Sequence, residues 1–134
     1  MTNEDRMYGG MMGGGTQDSA QEGGQEEATT MISIVAPAFH YTKVKSVARE
    51  QKTEMQKLIT DWVKDLIRTV RRGEDLKSVP NPSGNRKSVR IPVGVDDALE
   101  KLAIDQELKL GTRVTKSALV YEAIVRGLKA AGEL

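Results

Sequence analysis

Cysteine is absent from the 134-residue chain, and histidine, tryptophan and phenylalanine occur once each. Without thiols there is neither a disulfide framework nor a thiolate metal site, and a reducing interior fits better than a secreted context. With His40 alone, and no converging acid–base pair, no catalytic constellation, metal site or cofactor site emerges, so an enzyme is not expected. Long apolar runs are missing too. The longest, "ISIVAPAF" at 32–39, is far too short to cross a bilayer, and the N-terminal "MTNEDR" lacks the apolar core of a targeting segment. A cytoplasmic location is expected, with no membrane partner.

Charge is present in both signs but unevenly placed. Residues 1–30 hold six acids and one base, a net −5, whereas the rest of the chain holds 19 bases and 13 acids, a net +6. The formal +1 therefore conceals a basic body behind an acidic tail. Such a body suits a polyanionic partner, and equally suits an ordinary solvated surface. The tail, with "YGGMMGGGTQDSAQEGGQEE", has almost nothing to bury and is expected to be disordered. Its four methionines, Met1, Met7, Met11 and Met12, either offer a patch to protein partners or belong to a flexible leader.

The length suits one small domain, or two half-domains sharing a core. Residues 31–73 read as strand, helix, helix: "MISIVAP", a helix over about 38–50 with Val44, Val47 and Ala48 at helical spacing, and a stronger one. That one carries Leu58, Ile59, Trp62, Val63, Leu66, Ile67 and Val70 on one broad apolar face. Thr53 and Gln56 have the spacing of a capping box at its start. Residues 74–85, "EDLKSVPNPSGN", read as a linker.

The order then recurs over 86–134. "RKSVRIPV" alternates, with Val89 and Ile91 on one side and Arg86, Ser88 and Arg90 on the other. Asp96 and Asp97 are expected to open a helix with Leu99, Leu102 and Ala103 inward, "KLGTRVT" to break it, and a last helix to carry Leu119, Val120, Ala123, Ile124 and Leu128. The first helices match at an offset of 55 residues and the second at 61.

Neither lone strand has a ladder partner within its own half, and about 45 residues bury too little to be stable alone. Antiparallel pairing of the two strands, with four helices closing over Ile32, Ile34, Val89 and Ile91, solves both problems. The fold class expected is mainly α with a two-stranded antiparallel ribbon, two strand-helix-helix repeats sharing one core. The ribbon's outer face is left in water, and a ribbon of that width fits the major groove of B-DNA.

"KSVRIPVGVDDALEKLA" followed by "GTRVTKSALVYEAIVRGL" resembles the ribbon-helix-helix family of DNA-binding proteins, in which alternating basic and apolar residues run to a proline, then a helix, a glycine-containing turn, a Ser/Thr-rich cap and a second helix. The resemblance covers about residues 86–130; residues 31–73 share only element order and apolar spacing. Two repeats in one chain are similar to the single-chain members found in plasmid transfer and T-DNA processing systems. The resemblance implies base contacts from Arg86, Ser88 and Arg90, and from Met31, Ser33 and Val35 at the corresponding positions of the first strand. There only Ser33 is polar, so readout is expected to be asymmetric. It also implies that amides at the start of each second helix grip a phosphate: Thr115, Lys116 and Ser117 in one half, Lys52 and Thr53 in the other, with Lys87 adding a cation. Simple capping by Thr115 or Thr53 is the plainer reading of the same positions.

The expected function is sequence-specific binding of double-stranded DNA, as a transcriptional repressor or a plasmid transfer or partition accessory protein. The chain would act as a monomeric pseudo-dimer, with higher assembly on DNA open. The alternative is a protein-interaction module, antitoxin-like or scaffolding, with weak DNA binding. A third arrangement would pair the second strands of two chains and use residues 31–73 as an oligomerisation arm.

Overall fold

A proline stands at each point where a strand turns into a helix. The computed structural model describes residues 28–74, 76, 79 and 81–134. In chain order they form β1 (Thr29–Ala36), α1 (Ala38–Glu50), α2 (Met55–Arg71), β2 (Asn85–Pro92), α3 (Val93–Leu110) and α4 (Lys116–Ala130). Pro37 (φ −58°, ψ 146°) and Pro92 (φ −60°, ψ 142°) cap α1 and α3 with nearly identical backbones. The ring fixes φ at a value extended chain tolerates, and the helix starts at the next residue, whose own amide is intact.

The described residues are mainly helical, with one two-stranded antiparallel sheet. Its register pairs Met31 with Arg90, Ser33 with Ser88 and Val35 with Arg86, and ends at Thr29–Pro92 and Ala36–Asn85. The pairing joins strands of one chain, so β2 has its partner without a second copy. Side chains alternate across the pleat. Ile34, Ala36, Val89 and Ile91 are buried on the inner face, with Ile32 half-buried beside them. Tyr41 on α1 fixes one end, its hydroxyl donating to the Asn85 carbonyl at 3.0 Å.

The helices cross between halves. α2 packs on β2 and α3, and α4 packs on β1, while α2 and α4 pack against each other. The expected apolar faces of α2 and α4 are buried in one cluster with the strands, except that Trp62 is only partly covered. Its indole lies on Gly127 of α4, where a Cβ would stand 2.1 Å from the ring.

Four expectations are corrected. Thr29 and Thr30, read as tail, are the first residues of β1; the tail itself, to residue 27, lies outside the described residues. α3 opens at Val93 rather than at Asp96 and Asp97, because Pro92 supplies the break. The α2 cap is Glu54, and no side chain bonds there, so Thr53 and Gln56 form no capping box. The segment read as a linker also contributes to the core: Leu76 and Val79 are buried. Gly84, which leads into β2, has φ +128°, and a Cβ there would meet the Ala36 carbonyl oxygen at 2.5 Å. No helix among the described residues is long and apolar enough to cross a membrane.

His40 is buried on α1 between the rings of Phe39 and Tyr121, and its Nδ1 has no partner. Burial, and then the Lys43 ammonium, hold its pKa below the ordinary 6.5. The folded ring thus resists a proton that the unfolded chain accepts. Stability is complete above about pH 6.5 and is lost as pH falls below it. Denaturant midpoints measured from pH 7.5 to 5 should fall for the parent and flatten for His40→Gln; parallel curves would remove His40 as the cause.

The Gly127 contact gives a packing prediction. Ala gains up to about 1 kcal/mol of helix propensity over Gly, whereas overpacking a contact costs about 1–3 kcal/mol. Gly127→Ala should therefore lower the unfolding midpoint. A midpoint at or above the parent's would mean that Trp62 simply moves aside.

Candidate nucleic-acid interface

The outer face of the ribbon follows from burial of the inner one. With Ile34, Val89 and Ile91 fixed inward, the pleat turns Thr29, Met31, Ser33 and Val35 of β1, and Arg86, Ser88 and Arg90 of β2, the other way. Val35 is half-buried; the other six are exposed. The Ser33–Ser88 pair lies mid-face, with Arg90 opposite Met31 towards one end and Arg86 opposite Val35 towards the other. Four residues of strand put the two arginine Cα atoms about 13 Å apart.

Hydroxyls of β1 hold both guanidinium groups along this face. Arg86 Nη1 donates to Ser33 Oγ at 2.8 Å, and Arg90 Nη1 donates to Thr29 Oγ1 at 3.1 Å. Neither arginine has an acidic partner among the described residues. Each bond uses one of the five guanidinium N–H donors, so most of each fork still faces solvent. The Arg90 backbone is held as well. Its amide points off the sheet edge and donates to Gln56 Oε1 at 2.7 Å, so the side chain expected to cap α2 instead supports the strand.

The second-helix N-termini differ from one another. At α4, Thr115 is the cap, its Oγ1 accepting from the Ala118 amide at 3.1 Å. Lys116 and Ser117 follow as the first helical residues, where amides have no intrahelical acceptor. The Lys116 ammonium is engaged by Asp96 at 2.8 Å, and Ser117 Oγ is buried without a partner. At α2 the expected positions fall elsewhere. Lys52 adopts φ +56°, its amide donates to the Arg49 carbonyl, and the Thr53 amide donates to Ala48. Both amides finish α1 and have no free N–H for a phosphate; the first turn of α2 is Met55, Gln56 and Lys57, beside the Glu54 carboxylate.

Lys87 does not share the face of Arg86, Ser88 and Arg90. It is paired with Ile34 and half-buried, with its ammonium 5.4 Å from the centre of the Tyr41 ring. Lys43 donates to the Glu133 carbonyl at 2.8 Å. Sequence reasoning missed Thr29, Gln56 and the role of Asp96. Register alone would have exposed Thr29, by putting it diagonal to Arg90; nothing local marks Gln56 or the pairing of Asp96 with Lys116.

Comparison with protein-family models, characterised proteins and solved structures finds no match.

Replacing Gln56 by Leu removes the acceptor for a strand amide. The cost should be about 1 kcal/mol of stability, with hydrogen exchange quickened at the Arg90 amide and not at Val89. Unchanged exchange at Arg90 would show that water replaces the bond without loss.

Proposed function

We propose that the chain binds double-stranded DNA sequence-specifically by laying the β1–β2 ribbon in the major groove, as two ribbon-helix-helix repeats fused in one polypeptide. It would act as a transcriptional repressor or as an accessory protein at a plasmid transfer or partition site. The observation that carries this reading is the exposed ribbon face, with Arg86 and Arg90 held along it by Ser33 and Thr29. The recurring order supports it: α1 and α3 begin 55 residues apart, α2 and α4 begin 61 apart, and each first helix follows a proline cap.

A two-stranded ribbon fits the major groove, and an arginine fork can pair with guanine O6 and N7. At about 13 Å apart and about 3.4 Å per base step, Arg86 and Arg90 would address positions about four steps apart. Met31 and Val35 offer only apolar contact, suited to a thymine methyl. The target is therefore asymmetric. Anchoring is asymmetric as well, because the Lys116 and Ser117 amides of α4 suit a phosphate, whereas Glu54 sets a negative charge at the start of α2.

One observation favours the interaction-module alternative: Ile104 and Leu108, one turn apart on α3, are 59% and 80% exposed. A mobility-shift assay on mixed genomic fragments separates the two readings. Where a duplex is selected, its affinity should fall steeply between about 50 and 200 mM salt as phosphates are neutralised. Arg90→Ala should weaken the selected duplex by about 1–3 kcal/mol while affecting random duplex less. Affinity indifferent to salt ends the DNA reading, and equal losses on both duplexes make Arg90 a backbone contact.

A further inference from the structure

The last two turns of α2 and the first turn of α3 enclose a groove of about 430 Å³ whose floor includes the buried Ile67 and Val95. Its rim is cationic: Lys64, Arg68, Arg71 and Arg72 all line it. Only Arg68 has an acidic partner among the described residues, Asp65 at 3.1 Å, and both are exposed. Cations suit the carboxyl end of α2 in any case. What that does not account for is the other wall. Gly94 and Val95 belong to the amino end of an 18-residue helix, which is itself positive, and its cap Pro92 provides no side-chain acceptor. The first acid in α3, Asp96, is taken by Lys116. The cations of α2 therefore face the positive end of α3 across one groove, offset only by the carboxyl-end dipole of α2 and by Asp65.

The chain enters the described structure beside this groove. The Ala28 carbonyl accepts from the amide of Val93, the residue before Gly94, at 2.9 Å. Immediately before Ala28 the sequence reads "EGGQEE", residues 22–27, with three carboxylates in six residues. Each residue of chain reaches about 3.3–3.6 Å, so Glu26 and Glu27 come within range of the groove without a long tether.

We propose that the chain's own acidic segment, residues 22–27, docks in this groove, with the Glu26 and Glu27 carboxylates set against Arg71, Arg72 and Lys64 and the first turn of α3. Exposed ion pairs of this kind would not hold a free peptide, but tethering raises the effective concentration to the millimolar range and makes them sufficient. Gly23 and Gly24 let the segment turn back along the rim and bring Glu22 to the same cations. The groove is thus occupied by a part of the same molecule, independently of whether the ribbon binds DNA.

Carbodiimide coupling of the full chain tests this. The reagent activates a carboxylate, a nearby lysine amine displaces it, and an amide forms with net loss of water taken up by the reagent. After proteolysis, mass spectrometry should find Lys64 joined to Glu26 or Glu27. In an equal mixture of unlabelled and ¹⁵N-labelled protein, the linked peptides should carry one label throughout. Arg71→Glu with Arg72→Glu should cut the yield at least fivefold, and 0.5 M salt should do the same to the parent, which decides the matter if the double variant fails to fold. Absence of the link, mixed-label peptides indicating a second copy, or a yield indifferent to salt would each overturn the proposal. No DNA is present, so failure here leaves the ribbon's function untouched.

Discussion

The pairing of β1 with β2 is the constraint on which the rest depends. Each strand is a single extended segment whose ladder groups find no neighbour in their own half, and the two are separated in sequence by two helices and a connecting segment. Closing that loop costs entropy before any contact repays it. Repayment comes from interlocking: α2 lies on the later strand and α4 on the earlier one, so each half supplies the cover for the other's inner face. Neither half has a complete core alone. Leu76 and Val79, buried midway along the connection, draw even that segment into the shared interior.

Once the inner face is buried, the outer face has no freedom. A slip of β2 by one residue would turn Val89 and Ile91 into water and its arginines into the core, so the identities facing outward are fixed by apolar side chains on the opposite side. The exposed row is chemically lopsided, arginine–serine–arginine on β2 against methionine–serine–valine on β1. The β1 hydroxyls nonetheless matter to it, because Ser33 and Thr29 restrict where the two guanidinium groups can lie. A fork already restricted loses less freedom on meeting a partner.

Patterns that depend on spacing within one element were legible in the sequence. The apolar faces of α2 and α4 and the alternation of β2 follow from local periodicity, whereas the break at Pro92 was passed over in favour of Asp96 and Asp97. What depended on a distant element was not legible. Thr53–x–x–Gln56 has the form of a capping box, yet the Gln56 side-chain oxygen is claimed by a strand amide 34 residues away. Lys52 and Thr53 fall where the second helix was expected to begin, but their amides close the previous helix through a left-handed Lys52, a conformation no local signal announces. Lys87 lies among basic residues, yet its parity within β2 sends it inward to Tyr41. Thr29 belonged by composition to the polar tail and became strand because β2 extends far enough to pair with it.

The contact between α2 and α4 bears on why two unlike halves pair with each other. Aligning the two helices by their first residues, 61 apart, sets Trp62 against Ala123 and Leu66 against Gly127. All four line the same depression between the helices. In the observed arrangement the largest side chain lies on the residue with none, which satisfies dense packing. Were the two halves the repeats proposed above, two copies of the first would bring Trp62 against Leu66 twice, overfilling the seam, and two copies of the second would bring Ala123 against Gly127 twice, leaving a void. Overpacking and cavities are both penalised, so steric complementarity favours the mixed pairing over either self-pairing. That preference lets the two outer strands differ: a face assembled from unlike halves carries both its arginines on one strand, an arrangement that two-fold symmetry between identical strands would forbid.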